Sequence, residues 1–358
     1  MPDVCENFGE IADARREVDW EPKLLQQIEP KASSEHETAE CGTMNEAATI
    51  RNFSICIQEA GIGTQLAQWQ EAAYAKINLG LWVGARDNRG YHPVSSILQS
   101  ISMADDILIT ESSHYHVEMI MPPELHAPVL SPADNLITRA YHLLKSRYPE
   151  IPTVQIRVTK RIPFGAGLGG GSADAAAIIR WTQRVINQRI DGRLASTLGV
   201  DIPFLVCGGT AQATGYGDDL QYLRPVTGWH LVLVTPQFGL STARVYQAFD
   251  TLSPAFQHPL DSVGNIVRAL EQGRTPPELL NALERAAWKV EPKLRGLKAD
   301  LQHLTDRPWF LTGSGATYFA LLRSDDEARN LQAHLRNSRL DNVARVEIAE
   351  FLGPYCSA

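Results

Sequence analysis

The chain has 358 residues, 44% of them hydrophobic, enough for two domains with cores of their own. A net charge of −8 excludes a global basic field that would gather nucleic acid or an anionic membrane, so any anionic ligand has to be held locally. The five cysteines (Cys5, Cys41, Cys56, Cys207, Cys356) are scattered and lack Cys-x-x-Cys or His spacing, which speaks against a disulfide framework or a zinc site and for a reducing compartment.

Residues 1–70 are rich in Glu, Asp, Ala and Gln and read as a mostly disordered acidic extension, within which Met44 offers an alternative start. The opening MPDVCENFGE has neither the basic nor the apolar region of a secretion signal, and the acids through the extension do not suit an organelle transit peptide. No apolar run approaches the roughly 18 residues of a membrane helix. A cytoplasmic protein without a membrane partner is expected.

From Glu71 the texture changes to strands at 75–83, 94–102 and 107–110, with a turn at 87–90. A helix is expected over 136–148 with Asn135 near its start, then a half-exposed strand over 154–160, in which Val154, Ile156 and Val158 alternate with polar residues. Residues 163–177 carry five glycines in seven positions and lead into an alanine-rich helix starting near Ser172 and ending near Asn187. A helix over 191–198 stops at Gly199, ahead of Asp201-Ile-Pro203. A first domain over 71–228 gives way to a second over 229–358, with a strand from Trp229, helices near 262–272, 277–289 and 292–305, a strand at 317–322, a helix at 326–337 and a last strand at 344–350.

The glycine loop is a place to hold phosphate. Glycines accept positive φ and remove the side chains that keep an anion from the amides, and a helix start adds free N–H groups and the positive end of its dipole. Gly165, Gly167 and Gly170 formally satisfy G-x-G-x-x-G, but Pro163 separates them from the preceding strand, unlike a dinucleotide fingerprint, and no Gly-Lys-Ser/Thr follows to make a Walker A loop. Asp201 on its own suits a helix N-cap, Lys76 a solvated strand lysine, and Tyr91 and His92 exposed turn residues.

Ala75-Lys-Ile-Asn-Leu79, Gly90-Tyr-His92, Asp134-Asn-Leu-Ile137, the glycine loop, Gly199-Val-Asp-Ile-Pro203 and Leu311-Thr-Gly-Ser-Gly-Ala316 occur in the order found in the GHMP kinases. From about residue 72 to 353 the chain resembles that superfamily. The resemblance implies an α+β fold, with an N-terminal domain like domain 2 of ribosomal protein S5 and a ferredoxin-like C-terminal domain. It also implies ATP as phosphate donor, Mg²⁺ with the nucleotide and a small alcohol as acceptor. The Ala-x-Lys-Ile-Asn-Leu and Gly-Tyr-His pair is similar to the branch whose acceptor is a cytidine diphosphate derivative of a branched polyol, phosphorylated on its tertiary 2-hydroxyl for isoprenoid precursors by the non-mevalonate route. The rivals are another GHMP alcohol kinase, for mevalonate, homoserine or a sugar, and a nucleotide-binding module without catalysis.

Carried onto this sequence, the resemblance implies Asp201 as catalytic base and Lys76 as the cation beside it. Asn78 shares Lys76's strand face. Tyr91 and His92 are implied to receive the cytosine, with Tyr246 as a second stacking aromatic and Thr242, Gly313 and Ser314 contacting substrate. ATP is expected along Pro163, Gly165, Ala166, Gly167, Leu168, Gly169, Gly170, Gly171 and Ser172, with Asn135 and Lys160 near the adenine. The Ser172 hydroxyl is a candidate contact to phosphate or Mg²⁺, although an N-cap is the simpler role for it, and no dedicated acidic metal cluster is evident. A monomer or weak homodimer is expected. Tyr74 stands where the family usually has proline, and Pro93 directly after Tyr-His is a second departure, both beside the expected substrate site.

Overall fold

The computed structural model describes residues 66–122, 135–252, 262–276, 279–338, 340 and 344–355. Residues 1–65 of the expected extension, Met44 among them, lie outside the described residues, as does Asp134.

Gln68–Val83 (β1) and Val94–Glu111 (β2) pair antiparallel along nearly their whole length. The two separate strands expected over 94–102 and 107–110 are one. Asp105 interrupts the apolar pattern there, but its buried carboxylate meets Lys160, just past the end of the neighbouring strand, so the ladder continues through it. His116–Ile120 (β3), Val154–Thr159 (β4), Thr210–Thr214 (β5) and Asp219–Tyr222 (β6) complete a six-stranded sheet in the order β3-β4-β2-β5-β6, with β1 on β2. The β3–β4 pair is parallel.

Helices Leu136–Arg147 (α1) and Gly170–Ile186 (α2) pack on one another, and α2 packs on β1. Buried alanines at 173 and 175–177 bring α2 close to the strands, and Trp181 fills the space beyond them edge-on to Trp69. Two short helices follow, Gly192–Ser196 (α3) and Ile202–Cys207 (α4).

The second sheet is built from His230–Pro236 (β7), Phe310–Leu311 (β8), Tyr318–Leu322 (β9) and Ala344–Glu350 (β10), all antiparallel in the order β10-β7-β9-β8. Counted from β7, that order is fourth, first, third, second. The helices around it are Thr242–Asp250 (α5), Ser262–Glu271 (α6), Glu284–Val290 (α7), Lys293–Thr305 (α8) and Asp325–Arg336 (α9). α9 shows how sequence sets such an element. Ser324 caps it by accepting from the Glu327 amide at 3.2 Å, acids fill its first turn, and Ala328, Leu331 and Leu335 form the buried stripe.

The helix expected over 277–289 starts only at Glu284, with residues 277–278 outside the described set. Leu81 and the 280–282 backbone exchange two hydrogen bonds of 2.9 Å, which holds that stretch extended against the end of β1. Apolar packing runs without a break from Ile77, Leu79, Ile97 and Ile101 to Leu231, Phe319 and Phe351, so one face of the second sheet joins the core of the first, while Val232, Val234, Tyr318 and Ala320 on its other face build a second core with its helices. Among the described residues, no helix is long and apolar enough to cross a membrane.

Candidate active site

β1 slips register against β2 twice, between Tyr74 and Lys76 and again between Asn78 and Gly80. Such irregularities re-aim side chains, and these two bracket Lys76 and Asn78. Both side chains are buried, and the Lys76 ammonium donates to Asn78 Oδ1 at 2.8 Å. Asn78 in turn donates to Ser96 Oγ at 2.7 Å, and its amide donates to Thr312 Oγ1 at 3.0 Å. The lysine is therefore fixed in an apolar strand by a chain of polar partners instead of reaching solvent.

The glycine loop lies alongside. Its carbonyls are tied back into the protein: Gly165 O accepts from Leu240 N at 2.9 Å and Ala316 N at 3.2 Å, Ala166 O from Thr317 N at 3.2 Å, and Leu168 O from Lys76 N at 3.0 Å. Among the described residues, no amide from Gly165 to Ser172 donates to another protein group. With carbonyls held on one side and N–H groups free on the other, the loop is an anion cradle at the head of α2. Gly167 shows why side chains are excluded: its φ is 76°, and a Cβ there would lie 2.2 Å from Thr312 O. α2 begins at Gly170, two residues before the expected Ser172, and its N-cap is Gly169. Ser172 is thus in the first turn, without a capping role, and lines the cavity.

Asp201 holds the N-cap position of α4, yet its side chain makes no capping bond. Its Oδ2 lies 3.5 Å from Lys76 Nζ instead. The carboxylate, the ammonium and the loop amides all face one cavity of about 960 Å³.

The same cavity is also lined by Tyr91, His92, Thr242, Tyr246, Gly313 and Ser314, and Gly313 lies directly against Gly167 and Asn78. Thr242 and Ser314 share a hydrogen bond of 3.0 Å, which joins α5 to the second glycine turn, and Asn281 shapes that turn by donating to the Leu311 and Gly313 carbonyls. Tyr91 is 65% exposed, whereas the His92 side chain is covered, with both ring nitrogens on oxygens, Nδ1 with Gly84 O and Nε2 with Asp250, each at 2.9 Å. The edge of His92 is therefore taken by the protein, and its ring packs against Tyr246, tilted, and Phe249, edge-on, with ring centres 5.5 Å apart in both pairs. Burial, helped by the Asp201 charge, pushes the Tyr246 hydroxyl up to about 12.

Asn135 does not reach the cavity lining. It caps α1, accepting from the Ile137 amide at 2.9 Å, which engages the group expected near adenine. Lys160 borders the cavity, but its ammonium is closed between Asp105 and Asp174, the latter at 2.6 Å. Asp105 also accepts from the Arg161 and Ile162 amides, so this buried trio clasps the chain on both sides of the glycine loop. Burial opposes the Lys160 charge, but Asp174 and Asp105 outweigh it and raise its pKa. Burial, with Asp105 adding to it against Lys160, pushes Asp174 up to about 8. Tyr74 and Pro93, expected beside the substrate site, are not in the lining; Tyr74 stacks on Tyr355 with ring centres 4.8 Å apart. Arg86, Arg89, Tyr216 and Asp250 do line the cavity and carry no sequence motif that would have found them.

Residues 135–210 match the model of the GHMP kinases N terminal domain. The chain is 36% identical over 280 residues to 4-diphosphocytidyl-2-C-methyl-D-erythritol kinase of Moorella thermoacetica, covering 76% of this chain and 96% of that protein. The chain belongs to this kinase family. A crystal structure of 4-(cytidine 5'-diphospho)-2C-methyl-D-erythritol kinase superposes with a TM-score of 0.67 at 30% identity, over 80% of this chain and 100% of that one. The family's fold, α+β in two sheets, is the one described above. Mevalonate kinase of L. major superposes at a TM-score of 0.58 over 82% of this chain and 98% of that one, but at 13% identity it shares the fold alone.

Proposed function

We propose that this chain transfers the γ-phosphoryl group of ATP to the tertiary 2-hydroxyl of 4-diphosphocytidyl-2-C-methyl-D-erythritol, in isoprenoid precursor synthesis by the non-mevalonate route. The observation that carries this beyond family membership is the Lys76–Asp201 pair, which faces a loop whose amides are free. A tertiary alcohol is crowded and weakly nucleophilic, so catalysis consists of alignment, charge stabilisation and a destination for one proton.

Asp201 accepts the hydroxyl proton as the acceptor oxygen bonds to the γ-phosphorus and the bond to the β-phosphate oxygen breaks, releasing ADP. Lys76, 3.5 Å from that carboxylate, offsets charge developing on the acceptor oxygen. Asn78 holds Lys76 in place, and Gly167 to Ser172 present their amides to the phosphates. Tyr91, with His92 and Tyr246 beside it, receives the cytosine, and Thr242 and Ser314 bound the polyol.

The oxygens the cavity offers near the loop fit Mg²⁺, which takes one or two protein oxygens together with substrate phosphates and water. Ser172 Oγ, in the first turn of α2, is the residue that would hold it, and when bound the ion neutralises and orients the β- and γ-phosphates. The scattered cysteines favour a reducing, cytoplasmic setting, and a monomer or weak homodimer suffices because every proposed site residue comes from one chain.

The test is ADP release by purified protein with a panel of alcohols. Turnover of the diphosphocytidyl acceptor, with little on mevalonate, homoserine or galactose, is expected. Turnover of one of those three with none of the diphosphocytidyl compound overturns the assignment.

A further inference from the structure

The acceptor proposed above carries a diphosphate between nucleoside and polyol, and such a group is bound through cations and N–H donors. The loop amides face the phosphate donor, Lys76 is held by Asp201 and Asn78, and Lys160 is closed between two carboxylates. Among the described residues lining the cavity, the arginines present are Arg86 and Arg89. Arg86 turns to Asp250 at 3.4 Å and to the Gly90 carbonyl at 3.0 Å.

Arg89 is placed differently. Its Nε meets Asp87 Oδ2 at 3.2 Å, one further N–H meets the Tyr216 hydroxyl, and the guanidinium lies 4.7 Å from the Tyr216 ring centre. A guanidinium presents five donors, so most of its N–H groups stay open to a ligand. Asp87 is meanwhile satisfied, accepting from the Tyr216 hydroxyl at 2.5 Å and, within its own turn, from the Tyr91 and Arg89 amides at 2.9 Å each. Those donors, the Tyr216 hydroxyl first, hold its carboxyl far below the usual range. Tyr91, the exposed aromatic at this mouth, stands edge-on to Tyr216 with ring centres 6.1 Å apart.

Resting on the acceptor assignment above, we propose that Arg89 is a specificity-determining residue that binds the diphosphate of a nucleoside-diphosphate acceptor. Asp87 and Tyr216 are positioning residues that aim its open donors across the mouth beside Tyr91. Bidentate, charge-assisted contact of this kind favours an acceptor with a diphosphate over the bare alcohol.

Calorimetric titration of the full chain with cytidine and with CDP, for wild type, Arg89→Gln and Arg89→Lys, tests this. Wild type should bind CDP more tightly than cytidine. Arg89→Gln should lose about tenfold or more for CDP while cytidine affinity and the KM for ATP stay put, since hydrogen bonds to charged groups are the strong ones. Arg89→Lys should recover part of the loss. Unchanged CDP affinity in Arg89→Gln, an equal loss for cytidine, or a raised KM for ATP overturns the role of Arg89. Wild-type turnover of the diphosphocytidyl acceptor in that case leaves the functional assignment standing. A wild type that neither prefers CDP nor turns that acceptor over removes both.

Discussion

Asp201 occupies the N-cap of α4 and yet gives its carboxylate to Lys76, 3.5 Å away, instead of to the helix amides. A capping aspartate contributes about 1 kcal/mol to its helix, and this one is set to another task.

Asp201→Asn should therefore leave thermal stability almost unchanged while kcat falls by roughly 10²- to 10⁴-fold, the usual loss for a positioned base. ATP affinity should hold, because the carboxylate is not part of the loop cradle. Steady-state kinetics beside a nucleotide titration check both halves, and an unchanged kcat would take Asp201 out of the mechanism.

Substitutions along the glycine loop should differ sharply by position. Gly167→Ala meets Thr312 O at 2.2 Å with φ at 76°, so the loop has to move and ATP affinity should drop at least about tenfold, matching a backbone strain of roughly 1–2 kcal/mol or more. Gly171→Ala finds only Leu136 Cδ1 at 3.7 Å, an ordinary contact, and should bind ATP nearly as the parent does. Equal affinities in the two variants would contradict the cradle.

The buried Asp174 gives the fold a pH signature. Burial lifts its carboxyl from the ordinary 3.8 to about 8 in the folded protein, so the native state holds the extra proton between those values. Its contribution is nil below pH 4, turns progressively destabilising as pH rises towards 8, and is constant above. Asp174→Asn removes that dependence. The stability of the variant relative to wild type, from urea unfolding at pH 5 and at pH 7.5, should grow by up to about 1.4 kcal/mol per pH unit, and parallel curves would contradict it.

Tyr91→Ala should raise the KM for the diphosphocytidyl acceptor while leaving kcat and the KM for ATP close to wild type. Stacking of a base on an aromatic is worth roughly 1–3 kcal/mol, which corresponds to about five- to 150-fold. A change confined to the ATP parameters would place the base elsewhere.

Much of the site was legible because its signals are local. Five glycines before a helix, a lysine in an apolar strand and an aspartate after Gly199 are visible without coordinates. Partnership between distant residues was not. Asp105 and Lys160 broke one strand pattern and suggested a nucleotide contact in another place, and only their ion pair, 55 residues apart in sequence, explains both. Asn135 carried a motif but serves as a cap. Arg86, Arg89, Tyr216 and Asp250 sit in loops or at a helix end, where no periodicity singles them out, and only the folded chain brings them to one cavity.

The most direct measurement of the central claim is the proton-coupled ³¹P spectrum of the product made from ATP and 4-diphosphocytidyl-2-C-methyl-D-erythritol. A tertiary carbon bears no hydrogen to split the new phosphate ester, so the account predicts an unsplit monoester signal beside an intact diphosphate pair. A monoester signal split by neighbouring hydrogens, from a primary or secondary carbon, or no new ester at all, would contradict it.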